Sequence, residues 1–334
     1  MGQTYGSKAK GTNVIKLVLC DMDLTLIPFG ETRVSAAGIA AFHRLMDVGV
    51  CVGAVSGRGL SDLILQFGSD AACLRTAVAS NGCIVVANGE VVHTESLDRA
   101  AVENALAIVR TTPGVFMTVD KDGRHLVLGG TYDDVIRRFE PRPGRVFEVV
   151  DALPDGPLAK VNLVADGTPA TAAKLPHVVE RLHAAAPAID YVILGAGGAD
   201  MMPAGTSKAT GVRILLDHLG LAEDEMLFFG DSHNDLPLFE AFANGVAVAN
   251  ATAEIRELAR FHIGQCTEDA CAMALADLAE AIAQGRDPAW MGEEACEAAL
   301  DRALRDPTIS IEYLMAEHKR RRDAARLNRE RPHE

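Results

Sequence analysis

At 334 residues, 49% hydrophobic and 23% charged, the chain has room for about two domains and the composition of an ordinary globular protein, which excludes disordered and fibrous classes. Lys plus Arg number 32 against 46 for Asp plus Glu, a net charge of -14 that repels polyanions and speaks against general nucleic-acid binding. No apolar stretch nears the ~20 residues of a bilayer span, so no membrane partner is expected.

The opening "MGQTYGSKAKGTN" is polar. It lacks a signal-peptide core, and Gly6 stands where a myristoylation site needs Ser or Thr, so the expected address is cytoplasmic. The first buried strand is "VIKLVLC", residues 14–20, a continuous apolar run of the kind covered on both faces of a parallel sheet. A helix is predicted from about Ser35 to Val48, with Ile39, Phe42, Leu45 and Met46 on one stripe, Ser35 as N-cap and Gly49 as stop. "VCVGAV" (50–55) reads as a second buried strand and "LSDLILQF" (60–67) as the next helix, so strand and helix alternate as in a doubly wound sheet.

Near residue 88 the pattern changes. "VANGEVVHTESLD" predicts a hairpin around Asn88-Gly89, followed by a helix over 99–110 and strands at "VFMTVD" and "HLVLGG". In "AKVNLVAD" (159–166), Val161, Leu163 and Ala165 alternate with Lys160, Asn162 and Val164, which predicts a strand with one solvated face. A helix near 169–185 completes a separate α+β region. The doubly wound pattern resumes with "YVIL", a helix after Lys208, the strand "MLFFG" (226–230), a helix near 236–243 and the strand "VAVAN" (246–250). The expected architecture is therefore α/β: a doubly wound, Rossmann-like parallel sheet split over 1–87 and 188–285, with a separate α+β domain inserted at 88–187. A helical extension is expected at 286–334, ending in the basic "HKRRRDAARLNRERPHE", which reads as a solvated helix or frayed tail. The seven cysteines include no CxxC pair and read as buried, reduced thiols.

Chemistry gathers at the carboxyl ends of the predicted strands, the rim where open α/β sheets place ligands. In "CDMDLTL", Asp21 and Asp23 are two residues apart in extended chain, so both carboxylates project to one side. Such a pair is costly unless a cation neutralises it or one member keeps its proton. Both remedies suit phosphoryl chemistry, with one Asp attacking phosphorus, a hard cation such as Mg²⁺ balancing charge, and the protonated Asp serving the leaving alcohol. "SGR" sets Ser56, Gly57 and Arg58 after a buried strand, where a hydroxyl and backbone N–H groups can receive phosphate oxygens. Lys208 begins a helix among small residues, and "FFGDSHNDLPLF" ends a buried strand with Asp231, Asn234 and Asp235, oxygen ligands able to complete a Mg²⁺ shell. His233 reads as a solvated loop residue. A dinucleotide reading of Gly195–Gly198 fails, because Asp200 stands where the last Gly is needed.

"DMDLTL", "SGR", "SNG" (80–82), Lys208 and "GDSHNDLPLF" follow in an order and spacing that resembles the haloacid-dehalogenase superfamily, in particular its Cof-type branch with a large α+β cap, over about residues 14–285. The resemblance implies Mg²⁺-dependent hydrolysis of phosphate monoesters through an aspartyl-phosphate. Carried over by position, Asp21 is the nucleophile and a Mg²⁺ ligand. Asp23 is the general acid/base and offers its backbone carbonyl to the metal. Ser56 binds the transferring phosphoryl group, with Gly57 and Arg58 in the same loop, and Lys208 neutralises it. Asp231 ligates Mg²⁺ while Asn234 and Asp235 support the phosphate and metal shell. Leu24 departs from the pattern, which most often has Gly or another small residue there.

The expectation is a phosphatase for a small phosphate monoester, a sugar phosphate, with substrate choice set by the cap and by loops such as the one at Asn81; a homo-oligomer is compatible with it. A sugar phosphomutase of the same superfamily is the first rival and would yield isomer rather than free phosphate. A receiver-like phospho-acceptor is the rival of another class, and the split sheet speaks against it.

Overall fold

The computed structural model describes residues 15–121, 123–139, 146–194, 197–306 and 308–310. Two compact units emerge. The first gathers the described residues up to Val55, Ile64–Thr76 and the chain from Leu216 onward; the second gathers Ser56–Leu63 and Ala77–Leu215.

The chain enters the first unit through β1 (Leu17–Cys20), whose four residues are all buried. Helix α1 (Ala36–Asp47) begins where the sequence predicts, since the Ser35 hydroxyl accepts from Gly38 N–H at 2.9 Å and so satisfies one of the orphan donors of the first turn. It ends at Gly49, whose φ of 83° is left-handed. Its buried residues Gly38, Ala41, Phe42 and Leu45 fall at helical spacing on one stripe. Strand β2 (Cys51–Val55) and helix α2 (Leu60–Gln66) follow.

In the second unit β3 (Ala77–Ala79), β4 (Ile84–Ala87) and β5 (Glu90–Thr94) form an antiparallel meander. Its two-residue turn is the predicted Asn88-Gly89, both with positive φ, as the twist of a tight hairpin requires. Next come α3 (Arg99–Arg110), β6 (Val115–Lys121), β7 (Arg124–Leu128), α4 (Tyr132–Arg138), β8 (Phe147–Val149), β9 (Val161–Ala165), α5 (Pro169–Ala185), β10 (Ile189–Ile193) and β11 (Gly198–Pro203). The six strands from β6 to β11 make one sheet in the order β10-β11-β9-β6-β7-β8.

One face of that sheet is apolar. Met117, Val119, Leu126, Leu128, Val161, Leu163, Ala199 and Met201 alternate out of their strands into a core shared with Val102, Leu106 and Val109 of α3 and Leu175, Val178 and Leu182 of α5. The other face differs from the predicted solvated surface. At one end Phe116, Val127 and Val164 pack against Val135 of α4; further along, Thr118, His125, Lys160 and Asp200 are buried although polar. The "YVIL" stretch also differs from its expected return to a parallel sheet, because it lies in β10, antiparallel to β11. A short apolar run fixes a strand but not the direction of its neighbour.

Helix α6 (Lys208–Leu219) leads back to the first unit, where β12 (Met226–Gly230), α7 (Leu236–Ala241), β13 (Gly245–Ala247), α8 (Ala253–Leu258), β14 (Phe261–His262), α9 (Ala270–Gln284) and α10 (Glu293–Arg305) follow. Here the strands run β14-β13-β12-β1-β2, every pair parallel, so β1 and β12 lie side by side with their carboxyl ends together. Helix α9 packs along α1. The start of the extension is packed as well. Trp290 contacts Phe229 and Phe261, each with ring centroids 5.9 Å away, and Ile309 is buried with Ala249 and Ala303. The basic segment from residue 318 lies outside the described residues. Among the described residues no helix is long and apolar enough to cross a membrane, and all seven cysteines are free thiols.

Candidate active site

In the first unit the site grows from the adjacent ends of β1 and β12. Asp21 continues the ladder, its N–H donating to Phe229 C=O at 2.9 Å. The chain then turns back tightly: Leu24 N–H donates to Ile27 C=O at 3.0 Å and Ile27 N–H to Met22 C=O at 2.7 Å. The turn requires a left-handed residue, and Leu24 supplies it at φ 67°. This is a physical reason for Gly at that position elsewhere, because only Gly adopts this conformation without a Cβ clash. Asn250, buried at the end of the strand read as "VAVAN", donates its Nδ2 to Leu24 C=O at 2.8 Å and accepts from Cys266 N–H at 2.8 Å. Its clamping role escapes sequence reading, since its partner lies more than two hundred residues earlier.

Asp21, Asp231 and Asp235 are buried, and each offers a carboxylate oxygen such that the three atoms lie within 4.8 Å of one another. Thr25 Oγ1 donates to Asp231 Oδ1 at 3.1 Å. Asp235 Oδ2 accepts from the N–H groups of Asp231 and Ser232 at 3.0 and 3.2 Å, so the turn after β12 holds its own acid in place. Ser232 Oγ donates to Asn234 Oδ1 at 3.1 Å. Asp23 is exposed at the start of the tight turn and is not one of the three clustered acids. His233 is exposed too and pairs with Glu254, in keeping with a solvated loop residue.

Three carboxylates this close repel strongly. At an effective dielectric near 20, each pair of unit charges costs roughly 3–4 kcal/mol. A divalent cation offsets that repulsion, and an all-carboxylate donor set suits a hard, oxygen-seeking ion such as Mg²⁺ rather than a thiophilic one. The residues present therefore fit the ion. Burial pushes the nearby Cys266 thiol up to about 11, with the Asp231 charge adding to it, so this cysteine is an inert neighbour rather than a nucleophile. A second group, His43, Asp70 and Cys73, is also close enough to share a ligand. It is accounted for structurally: Asp70 caps a 3-10 turn through Ala72 N–H and binds His43 at 2.7 Å, the contact that holds its carboxyl below the usual range.

The remaining predicted residues belong to the second unit. Ser56 is buried, and its hydroxyl accepts from Arg58 N–H at 3.2 Å. Its backbone joins the end of β3 to the "SNG" turn: Ser56 N–H donates to Val78 C=O at 2.8 Å, and Asn81 N–H donates to Ser56 C=O at 3.0 Å. Ser80, Asn81 and Gly82 all have positive φ, at 52°, 54° and 106°. Lys208 is the first residue of α6 and is 1% exposed. The helix approaches the turn closely because Gly211 has no side chain; a Cβ there would stand 2.7 Å from Gly82 Cα. Asn81 Nδ2 donates to Asp200 Oδ2 at 2.6 Å, a partner that sequence reading discarded with the glycine-rich loop.

Residues 18–275 match the family of haloacid dehalogenase-like hydrolases. The Bacillus subtilis protein YkrA is 35% identical over 99 residues, 30% of this chain and 38% of that relative; the chain thus matches well under two thirds of this relative's length. The Escherichia coli 5-amino-6-(5-phospho-D-ribitylamino)uracil phosphatase YbjI is 26% identical over 252 residues, 75% of this chain and 91% of that protein. Among solved structures, the fold is shared with the sugar phosphatase BT4131 of HAD subclass IIB, at a TM-score of 0.62 and 18% identity over 78% of this chain and 97% of that one.

Proposed function

The chain belongs to the haloacid dehalogenase-like hydrolase family, and from that premise we propose that it is a Mg²⁺-dependent phosphatase of a small phosphate monoester, a sugar phosphate. The observation that carries the reading is the buried triad Asp21, Asp231 and Asp235, an arrangement that an apolar core would reject unless it served a cation. These three acids would hold the ion, which when bound supplies neutralising charge for the carboxylates and for the phosphoryl oxygens.

Asp21 would attack phosphorus, forming an aspartyl-phosphate as the bond to the ester oxygen breaks. Asp23 would give its proton to the leaving alcohol and then take one from the water that hydrolyses the intermediate. The exposure of Asp23 suits a group that must exchange protons in each turnover. The family pattern assigns Ser56, Gly57, Arg58 and Lys208 to the transferring phosphoryl group, and Asn234 to its support. Phosphatase names among the relatives and the sugar phosphatase among the structures sharing the fold support the reaction class and the substrate class.

The test is phosphate release from p-nitrophenyl phosphate and a panel of sugar monophosphates, with Mg²⁺ or with a chelator, beside Asp21→Asn. The expected outcome is a loss of roughly a thousandfold or more in Asp21→Asn and a chelator effect reversed by Mg²⁺. Turnover that survives the substitution removes Asp21 as nucleophile. Isomerised sugar phosphate without free phosphate would reassign the protein as a mutase.

A further inference from the structure

The polar face of the six-stranded sheet holds a buried network that the reaction scheme does not use. Asp200, 2% exposed, receives three donors. Lys160 Nζ and Asn162 Nδ2 reach Oδ1 at 2.5 and 2.6 Å, and Asn81 Nδ2 reaches Oδ2 at 2.6 Å. Strand register explains the convergence. Asp200 of β11 pairs with Asn162 of β9, and Asn162 with Thr118 of β6, so these side chains form one row on one face. Lys160 lies two residues along, opposite Asp120, whose N–H donates to Lys160 C=O at 3.0 Å. Asp120 in turn binds His125 Nδ1 at 2.6 Å.

This face lies against the loop after β2. A Cβ on Gly57 would stand 2.7 Å from Asp200 Oδ2 and 3.0 Å from Asn81 Oδ1, and one on Gly59 would stand 3.2 Å from Asp120 Oδ2. The glycines thus let the "SGRG" loop touch the network directly. Two polar atoms are left over. Asn81 Oδ1 and Ser80 Oγ are buried and have no hydrogen-bond partner among the described residues, on consecutive residues held at left-handed φ. An orphan buried acceptor is costly to a fold, and so is a left-handed backbone at residues other than glycine. Arrangements of this kind persist where the surroundings enforce them, and they concentrate at ligand sites.

We propose that Asp200 is a positioning residue for the substrate's leaving group: it fixes Asn81 with its carboxamide oxygen kept for a substrate hydroxyl, and it cancels the charge of Lys160. The proposal rests on the phosphatase reading and adds a selectivity to it. With Lys160 bound to Asp200 and His125 bound to Asp120, these two groups of the face offer a ligand hydrogen bonds rather than a free charge. The face therefore favours uncharged, hydroxylated leaving groups over those bearing a second phosphate.

The test measures phosphate release by the full-length protein from glucose 6-phosphate, fructose 1,6-bisphosphate and p-nitrophenyl phosphate. Wild type, Asp200→Asn and Asn81→Gly are compared, glycine being the replacement that tolerates the left-handed turn. Ratios of kcat/KM are taken within one preparation, so a loss of folded enzyme cancels. Wild type is expected to prefer glucose 6-phosphate to the bisphosphate by about tenfold or more. Asp200→Asn should shift that ratio toward the bisphosphate by about tenfold, because Lys160 loses its counter-charge. Asn81→Gly should lower the ratio of glucose 6-phosphate to p-nitrophenyl phosphate by about tenfold, through KM more than kcat. Ratios that stay within about twofold in both variants would reduce the network to a structural one, with a buried water on Asn81, and would overturn the proposal. A wild-type preference for the bisphosphate would overturn it as well. Phosphate release from none of the three substrates is a different result, which removes the phosphatase reading and this proposal with it.

Discussion

Leu24 shows how one backbone angle can matter more than a side chain. At φ 67° it bears left-handed strain of about 1–2 kcal/mol, and Asn250 holds its carbonyl in that position at 2.8 Å. Replacing it with glycine relieves the strain but frees the unfolded chain by about 0.5–1 kcal/mol. Leu24→Gly is therefore expected to change stability by less than about 1 kcal/mol in urea unfolding. Leu24→Val, β-branched at the same angle, is expected to cost about 1–3 kcal/mol. A valine variant as stable as wild type would mean that the turn does not hold this residue left-handed. The substitution that looked like a departure from the family pattern is thus a tolerated strain, and the turn still brings Thr25 within reach of Asp231.

At the scale of the element, what the sequence discloses and what it hides have one cause, the range over which a signal acts. Helix α1 is readable because its cap, stripe and stop lie within fifteen residues of one another, and β12 because five buried residues in a row suit a strand covered on both faces. Asp21, Asp231 and Asp235 are legible as candidates because each sits in a local strand-end motif. The contacts of Asp200 leave no local signal because its partners are 119, 40 and 38 residues away, and the burial of Lys160 is hidden for the same reason. Helix α4 has only seven residues and one fully buried position, too short a pattern to show a period. Strand β2 is legible despite Gly53, whose reason appears only in three dimensions: a Cβ there would stand 2.0 Å from the Thr76 carbonyl oxygen. Backbone cannot yield as a flexible side chain can. Gly53→Ala is therefore expected to cost at least ~3 kcal/mol and to lose most soluble protein, whereas Ala54→Gly next to it should cost only about 1 kcal/mol. Equal melting temperatures for the two variants would contradict the close approach.

At the scale of the whole chain, the residues beyond the family match do structural work. The two-residue edge strand β14 would expose unpaired backbone of the kind that invites association, and α10 packs beside it. Trp290, the single tryptophan, seats on Phe229 and Phe261 and donates its indole N–H to Ala274 C=O at 3.0 Å. Arg302 of α10 binds both oxygens of Glu268, and this hydrogen-bonded pairing is the main cause that holds the Glu268 carboxyl below its ordinary 4.5. A carboxyl whose value is depressed on folding stabilises the folded form above its unfolded value, and that contribution disappears as pH falls through the folded one. Docking of α10 is therefore expected to be insensitive to pH in the neutral range and to weaken below 4.5, with Trp290 emission moving to longer wavelength as the ring meets water. Arg302→Ala should remove most of this pH dependence, because the Glu268 charge then has no partner on α10 whose loss could release the helix. Because Arg302 and Glu268 are partly exposed, added salt should weaken the wild-type contact and leave the variant nearly unaffected. A pH response that is the same in wild type and Arg302→Ala would show that apolar packing around Trp290 and Ile309, not the ion pair, holds the extension at low pH.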